Sequence, residues 1–294
     1  MVSIVITFQC VYYVIVTGKY KKYVYKNQFF VKRQTMRPIS AVILDMDGTF
    51  FLGESLLPGG LELIDWLNQQ GIKFTFLTNN TSRGKAAYVS MLTSLGLRQE
   101  DAHIYTAGDA TIGFLKNSYP GKRVFLVGTE SLRSSFLDEG IVLVEDDPDV
   151  LVLGYDTELT YQKLVDFCLY LRRGLPYIAT HPDLNCPSPI GPLPDIGSFM
   201  ALIETSTGRK PDVVLGKPNP GILNELAKSW GVDLQEMLMV GDRLYTDIAL
   251  GKTAGVKTAL VLTGETKRED LINALFQPDI VCENLTDLLQ YLSA

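Results

Sequence analysis

From Ile39 onward, short apolar runs alternate with longer stretches in which apolar residues recur every three or four positions. The short runs read as buried strands and the longer stretches as amphipathic helices. Strands are predicted at 41–44, 72–77, 237–240 and 256–262. Each ends in polar or glycine punctuation: Asp45-Met46-Asp47-Gly48, Thr78-Asn79-Asn80, Gly241-Asp242 and Thr263-Gly264. Helices are predicted at 60–70, with Leu61, Ile64 and Leu67 on one face, at 82–95, closed by Gly96, and at 284–292. Strands that alternate with helices imply a parallel sheet covered on both faces, so the fold class is α/β with a doubly wound sheet.

The middle of the chain has its own rhythm. Strand-like runs at 124–127, 150–153 and 177–179 flank a helical pattern at 159–171, and a proline-rich stretch at 185–194 reads as a long irregular loop. This pattern describes a second α/β unit inserted into the first. The expected organisation is a core at 38–119 and 209–294 with an insert at 120–208. No internal repeat or low-complexity tract interrupts it.

Residues 1–37 do not match the remainder. Positions 2–17 are uncharged and mostly apolar, and 19–37 then carry Lys19, Lys21, Lys22, Lys26, Lys32, Arg33 and Arg37. A secretory signal places its charge before the apolar run, and no Ala-x-Ala site follows here. The run is also at or below the roughly 17–25 residues of a spanning helix. It reads either as an anchor that leaves everything after it on the cytoplasmic side, or as a gene-model extension outside the fold, with translation starting at Met36. The second reading is preferred, so a membrane role is not expected and the expected location is the cytoplasm.

Composition narrows the chemistry. A 294-residue chain with 46% hydrophobic residues can bury one large or two modest cores. Its net charge of −6 argues against a general nucleic-acid binder. Cys10, Cys168, Cys186 and Cys282 are scattered without a Cys-x-x-Cys, and His103 and His181 stand far apart. Neither zinc nor a disulfide framework is indicated, and any metal should be a hard cation held by oxygen.

Four signals fall in order where strands end: Asp45-x-Asp47, Thr78 with Asn79, Lys217 in Gly216-Lys217-Pro218, and Gly241-Asp242-Arg243-x-x-Thr246-Asp247. Side chains alternate along a strand, which puts Asp45 and Asp47 on one side of the chain. In a doubly wound sheet such ends converge on one crevice. Carboxylates there can hold Mg²⁺, Lys217 can offset a phosphate's charge, and Thr78 can bind its oxygens. Asp45 is then placed to attack phosphorus, with Asp47 as acid and base.

The order and residue types of Asp-Met-Asp-Gly-Thr, Thr-Asn-Asn, Gly-Lys-Pro-Asn and Gly-Asp-Arg-x-x-Thr-Asp resemble the haloacid dehalogenase superfamily of phosphohydrolases. The resemblance covers the chain from about Ile39 to its end and implies a Rossmann-like core with an α/β cap. By that resemblance Asp45 is the nucleophile, Asp47 the general acid/base, Thr78 a phosphoryl ligand and Lys217 the group that steadies both. Asp45, Asp242 and the main-chain carbonyl of Asp47 hold Mg²⁺, and Asp247 supports Asp242 or Lys217. Asn79 and Asn80 are candidate substrate contacts.

Only about thirty residues separate Asp45 from Thr78, enough for one βαβ unit and no cap. The roughly 140 residues between Thr78 and Lys217 leave room for one. This spacing resembles the NagD-like and 4-nitrophenylphosphatase-like subgroup, whose cap lies between the second and third motifs. The subgroup implies a small phosphorylated metabolite as substrate, such as a sugar phosphate, nucleotide monophosphate or phosphoglycolate, and a homodimer formed through the cap. In Thr180-His181-Pro182-Asp183-Leu184-Asn185, His181 and Asp183 are candidates for selecting the leaving group. The alternative is that Asp183 caps a turn and His181 is merely exposed. Arg83 and Arg243 could meet an anionic substrate, but a solvent-exposed arginine is the commoner outcome and is the expectation for both. Two other readings of the whole chain compete: a catalytically silent phosphate sensor and a membrane-tethered scaffold.

Overall fold

The structure, a computed structural model, describes residues 8–16, 19–27, 38–186 and 190–294. Contacts divide the chain into Met1–Pro38 and Ile39–Ala294. In the first unit Phe8–Val16 and Lys19–Asn27 pair antiparallel, from Phe8 opposite Asn27 to Val16 opposite Lys19. The start expected at Met36 lies outside the described residues. Among the described residues, no helix is long and apolar enough to cross a membrane.

In the second unit, six strands form one parallel sheet in the order Ile280–Cys282, Lys257–Val261, Met237–Gly241, Ala41–Leu44, Lys73–Thr78 and Ile104–Thr106. Read along the chain, Ala41–Leu44 comes first and Met237–Gly241 fourth, and these two lie side by side at the centre. Strand order reverses between them, which is where an open α/β sheet leaves a crevice beyond its carboxyl ends. Asp45 and Asp242 are the residues that leave those two strands.

Both faces of this sheet are covered, as the near-continuous apolar strands require. Val42, Leu44, Phe74, Phe76, Leu238 and Val240 pack on one side with Leu63, Ile64 and Leu67 of the helix Gly60–Gln70 and Leu285 and Leu288 of Leu285–Ser293. Ala41, Ile43, Met237 and Met239 pack on the other with Ile222, Leu223 and Leu226 of Gly221–Trp230. Neighbouring residues of one strand therefore serve opposite cores.

A second parallel sheet takes the order Val213–Val214, Tyr177–Ala179, Val150–Leu153, Arg123–Val127 and Val142–Leu143. Its strands alternate between two further cores in the same way. Phe125, Val127, Leu151, Leu153 and Tyr177 meet the helices Tyr161–Arg172 and Ile196–Thr207. Val124, Leu126, Val150 and Val152 meet Ala107–Ser118 and Glu130–Asp138. The proline-rich stretch is not wholly irregular, because Asn185–Cys186 and Leu193–Pro194 pair antiparallel beneath the helix that starts at Ile196.

Candidate active site

Asp45 extends the central strand by one more ladder bond, its N–H donating to Val240 O at 2.8 Å. The chain then turns on itself. Thr49 and Phe50 N–H both donate to Met46 O, and Gly48 N–H donates to Phe51 O. Gly48 has φ +84°, and a Cβ there would stand 2.7 Å from Asp242 Oδ2. A side chain is thus excluded twice, by the left-handed backbone and by the neighbouring carboxylate. This glycine lets the loops that follow the two central strands come together.

Lys217 is the hub. Its residue is 3% exposed, and its ammonium forms ion pairs with Asp45 Oδ1 and, at 2.8 Å, with Asp247 Oδ1. Asp247 reaches it from a single π-helical turn, Leu244–Ile248, that follows the strand bearing Asp242. Such turns redirect side chains without ending a helix. Burial disfavours the charged amine, but Asp247 and Asp45 more than offset it and hold Lys217 above the ordinary lysine range. Asn79 fixes the base of this lysine. Its amide oxygen accepts from Lys217 N–H at 2.7 Å, and its NH₂ donates to Lys217 O and to Asp183 Oδ1, each at 3.0 Å. Its amide oxygen and both amide hydrogens are thereby engaged within the protein, which makes Asn79 a brace across three segments.

Three buried carboxylates, Asp45, Asp242 and Asp247, each bring one oxygen within 4.8 Å of the others. Asp242 Oδ2 accepts from Glu265 N–H at 2.6 Å, while Oδ1 is buried without a partner among the described residues. Burial raises the Asp242 pKa well above the usual range, and Asp45 and Asp247 add to the shift. An orphaned carboxylate oxygen beside two other carboxylates is costly unless a cation meets it. An all-oxygen set fits a hard divalent cation. The side chain of Asp47 is not in this trio. Its carboxyl is pushed up to about 6, first by burial and then by Asp45, against the pull of Arg243 and Lys217.

Asp45, Asp47, Thr78, Asn80 and Lys217 line one pocket, together with Asp183, Asp195 and Arg243. Thr78 accepts from Asn80 N–H at 3.1 Å. Asn80 in turn folds its amide oxygen onto Ser82 N–H and Oγ, at 2.9 and 2.7 Å. Asp183 lines the pocket but is held on both sides, by Asn79 and by Arg243 Nη1 at 3.5 Å. His181 is fully buried and is not in the pocket's lining among the described residues. Its Nδ1 faces Asp183 N–H at 3.4 Å, and burial lowers its pKa to about 4. It is therefore not the exposed residue that the alternative reading described.

Arg243 departs from its expected surface position. It is 8% exposed, forms ion pairs with Asp183 and with Glu265 Oε2 at 3.1 Å, and faces the pocket. Its own motif buries it, because the turn that presents Asp247 also receives Arg243 N–H on Asp247 Oδ2. Asp195, Cys186, Asn185 and Thr246 also line the pocket and were not singled out from the sequence. Asp195 did leave a signal: an aspartate directly before an amphipathic run at 196–207 is a helix N-cap pattern.

Comparisons with known proteins agree with this geometry. A family model described as haloacid dehalogenase-like hydrolase matches residues 42–142, and one described as HAD-hydrolase-like matches 214–288. The chain is 32% identical over 257 residues to the 5'-nucleotidase YutF of Bacillus subtilis (strain 168), covering 87% of this chain and 100% of that protein. It is 31% identical over 255 residues to an acid sugar phosphatase of Staphylococcus aureus (strain USA300), covering 86% and 98%. Its fold matches the crystal structure of a 4-nitrophenylphosphatase from Thermotoga maritima with a TM-score of 0.83 and 49% identity, covering 86% and 97%.

Proposed function

This chain belongs to the haloacid dehalogenase-like hydrolases as a NagD-like phosphatase, and from that premise we propose that it hydrolyses a small phosphomonoester through a phosphoryl group carried on Asp45. The observation that carries this reading is Lys217, fixed by Asn79 and paired with both Asp45 and Asp247 beside the unpartnered Asp242 Oδ1. A lysine held there pairs with Asp45 and positions its carboxylate in the pocket.

In the first step an Asp45 oxygen bonds to phosphorus as the bond from phosphorus to the leaving oxygen breaks. Asp47 delivers its proton to that oxygen, and its raised pKa keeps the proton available near neutral pH. Asp47 then takes a proton from a water that attacks phosphorus, which releases phosphate and restores Asp45. Thr78 and main-chain N–H groups bind the phosphoryl oxygens. Asp45, Asp242 and the main-chain carbonyl of Asp47 would hold Mg²⁺, which supplies positive charge against the carboxylates and the phosphate. Asp247 serves chiefly to hold Lys217.

The segment at 120–208, with the edge strand Val213–Val214 that its sheet recruits, is the cap in this reading. Asp183 on the cap loop fixes the loop against the core through Asn79 and Arg243. The names of the relatives support nucleotide monophosphates, sugar phosphates and similar metabolites as substrates. A cytoplasmic location and a homodimer through the cap complete the proposal. The test is turnover of 4-nitrophenyl phosphate by the purified full chain with Mg²⁺ and with EDTA. Metal-dependent release of 4-nitrophenol is expected, and no release under either condition would refute the reading.

A further inference from the structure

One carboxylate in the pocket has no part in the phosphoryl chemistry. Asp195 lies on the inserted segment, is 3% exposed, and lines the same pocket as Asp45. Its Oδ1 accepts from Ile196 N–H at 2.6 Å at the start of the helix Ile196–Thr207. Among the described residues nothing is bonded to Oδ2, and no lysine or arginine stands within ion-pair distance. The nearest base is His181, whose Nε2 is 3.7 Å from Oδ1 and whose ring is neutral because burial has lowered its pKa. Burial accordingly raises Asp195 to about 7.

A buried carboxyl group without a cation is expensive, and a helix cap does not require one. Serine or asparagine would cap Ile196 N–H equally well with no charge to bury. Asp183, the pocket's other carboxylate from the inserted segment, is already committed to Asn79 and Arg243. Asp195 is thus the inserted segment's carboxylate left over for a ligand. The remaining lining is consistent with a polar guest. Among the described residues it consists of carboxylates, amides, hydroxyls, one thiol and two cations, with no aliphatic or aromatic side chain.

We infer that Asp195 is a specificity-determining residue that accepts a hydrogen bond from a hydroxyl or ammonium group of the leaving group. The favoured substrates are then phosphate monoesters of small polyols or amino alcohols rather than of aromatic alcohols that bring no donor. This rests on the phosphatase reading above and narrows it. A site built around an acceptor discriminates strongly against a ligand that brings no donor, because the acceptor is left unpaired.

The test compares glycerol 3-phosphate, which offers free hydroxyls, with 4-nitrophenyl phosphate, which offers none on its leaving group. kcat/KM for both is measured on the full chain with Mg²⁺, for wild type, Asp195→Asn and Asp195→Ser. In Asp195→Asn the new amide oxygen stays on Ile196 N–H and turns the NH₂ toward the pocket, whereas serine keeps the cap but shortens the reach. In both variants the ratio of glycerol 3-phosphate to 4-nitrophenyl phosphate kcat/KM is expected to fall at least about tenfold, the range for a hydrogen bond to a charged group. A ratio unchanged within about twofold in a folded variant would overturn the inference, as would an equal fall for both substrates, and would leave Asp195 as a helix cap. Wild type inactive on both substrates would instead refute the phosphatase reading itself.

Discussion

Lys217→Met removes the ammonium and keeps most of the buried alkyl chain. Asp45 and Asp247 then face each other and Asp242 with no lysine between them. At 2.8 Å and an effective dielectric of about 20, one such pair corresponds to roughly 6 kcal/mol of Coulomb attraction before desolvation is counted. Breaking a buried pair from one side costs about 3–5 kcal/mol in practice. The carboxylates can recover part of that by taking up protons, so the loss must depend on pH. Burial already raises Asp242 and Asp247 above the usual carboxylate range, and Lys217 pulls Asp247 down, so without the lysine the folded variant binds more protons than its unfolded chain. Its stability is therefore greatest at low pH and falls as pH rises through the folded pKa. Urea denaturation in EDTA at pH 5.5 and pH 8.0 measures this directly. At pH 8.0 the variant should lose about 3–5 kcal/mol relative to wild type, and clearly less at pH 5.5. A loss below about 1 kcal/mol that is equal at both pH values would refute the electrostatic account of Lys217.

Other perturbations test separate parts of the site. Asp47→Asn should lower kcat/KM, which reports the step that expels the leaving group, by about 10²–10⁴ on an alkyl phosphate, whose leaving oxygen needs a proton, and by much less on 4-nitrophenyl phosphate; equal losses in kcat/KM would remove the acid role. In the wild type, Asp47 holds its proton below a pKa near 6, so alkyl phosphate turnover should decline above that pH in a pH–rate profile. Gly48→Ala forces a Cβ against Asp242 in a left-handed conformation and should cost more than about 1 kcal/mol by thermal or urea unfolding, with weaker metal binding. Asp242→Asn keeps the bond from Glu265 N–H but removes the charge beside the orphaned oxygen, and should raise the Mg²⁺ concentration for half-maximal activity at least about tenfold. An unchanged metal titration would remove Asp242 from the cation site.

The inner strands of both sheets were legible because they are buried on both faces and so read as unbroken apolar runs, such as Ala41–Leu44 and Val150–Leu153, whereas the short edge strands Ile104–Thr106, Val142–Leu143, Val213–Val214 and Ile280–Cys282 were not. The helix Gly60–Gln70 was equally plain, since glycines bracket one amphipathic stretch. Helices such as Ala107–Ser118 and Ile196–Thr207 were less legible because small residues, Ala107 and Gly108 in one and Gly197 in the other, make up part of the little they bury. Within the site, the residues that the local motifs point to, Asp45, Thr78, Lys217 and Asp242, do converge on one pocket or cluster. What sequence spacing could not reveal is contact between distant segments. Arg243, held by its own motif through Asp247, also meets Asp183, some sixty residues away. Asn79 is a brace because its partners are Lys217 and Asp183, and Asp195, whose local pattern marks only a helix start, lines the same pocket.

Covalent phosphorylation of Asp45 is the claim on which the proposed chemistry depends. The direct measurement is to quench the enzyme in acid during turnover of a phosphomonoester, reduce it with borohydride and map the peptides by mass spectrometry. An acyl phosphate at position 45 is reduced to homoserine, so homoserine is expected there with substrate present and absent without it. Steady turnover with unmodified Asp45 in every quenched sample would contradict the mechanism.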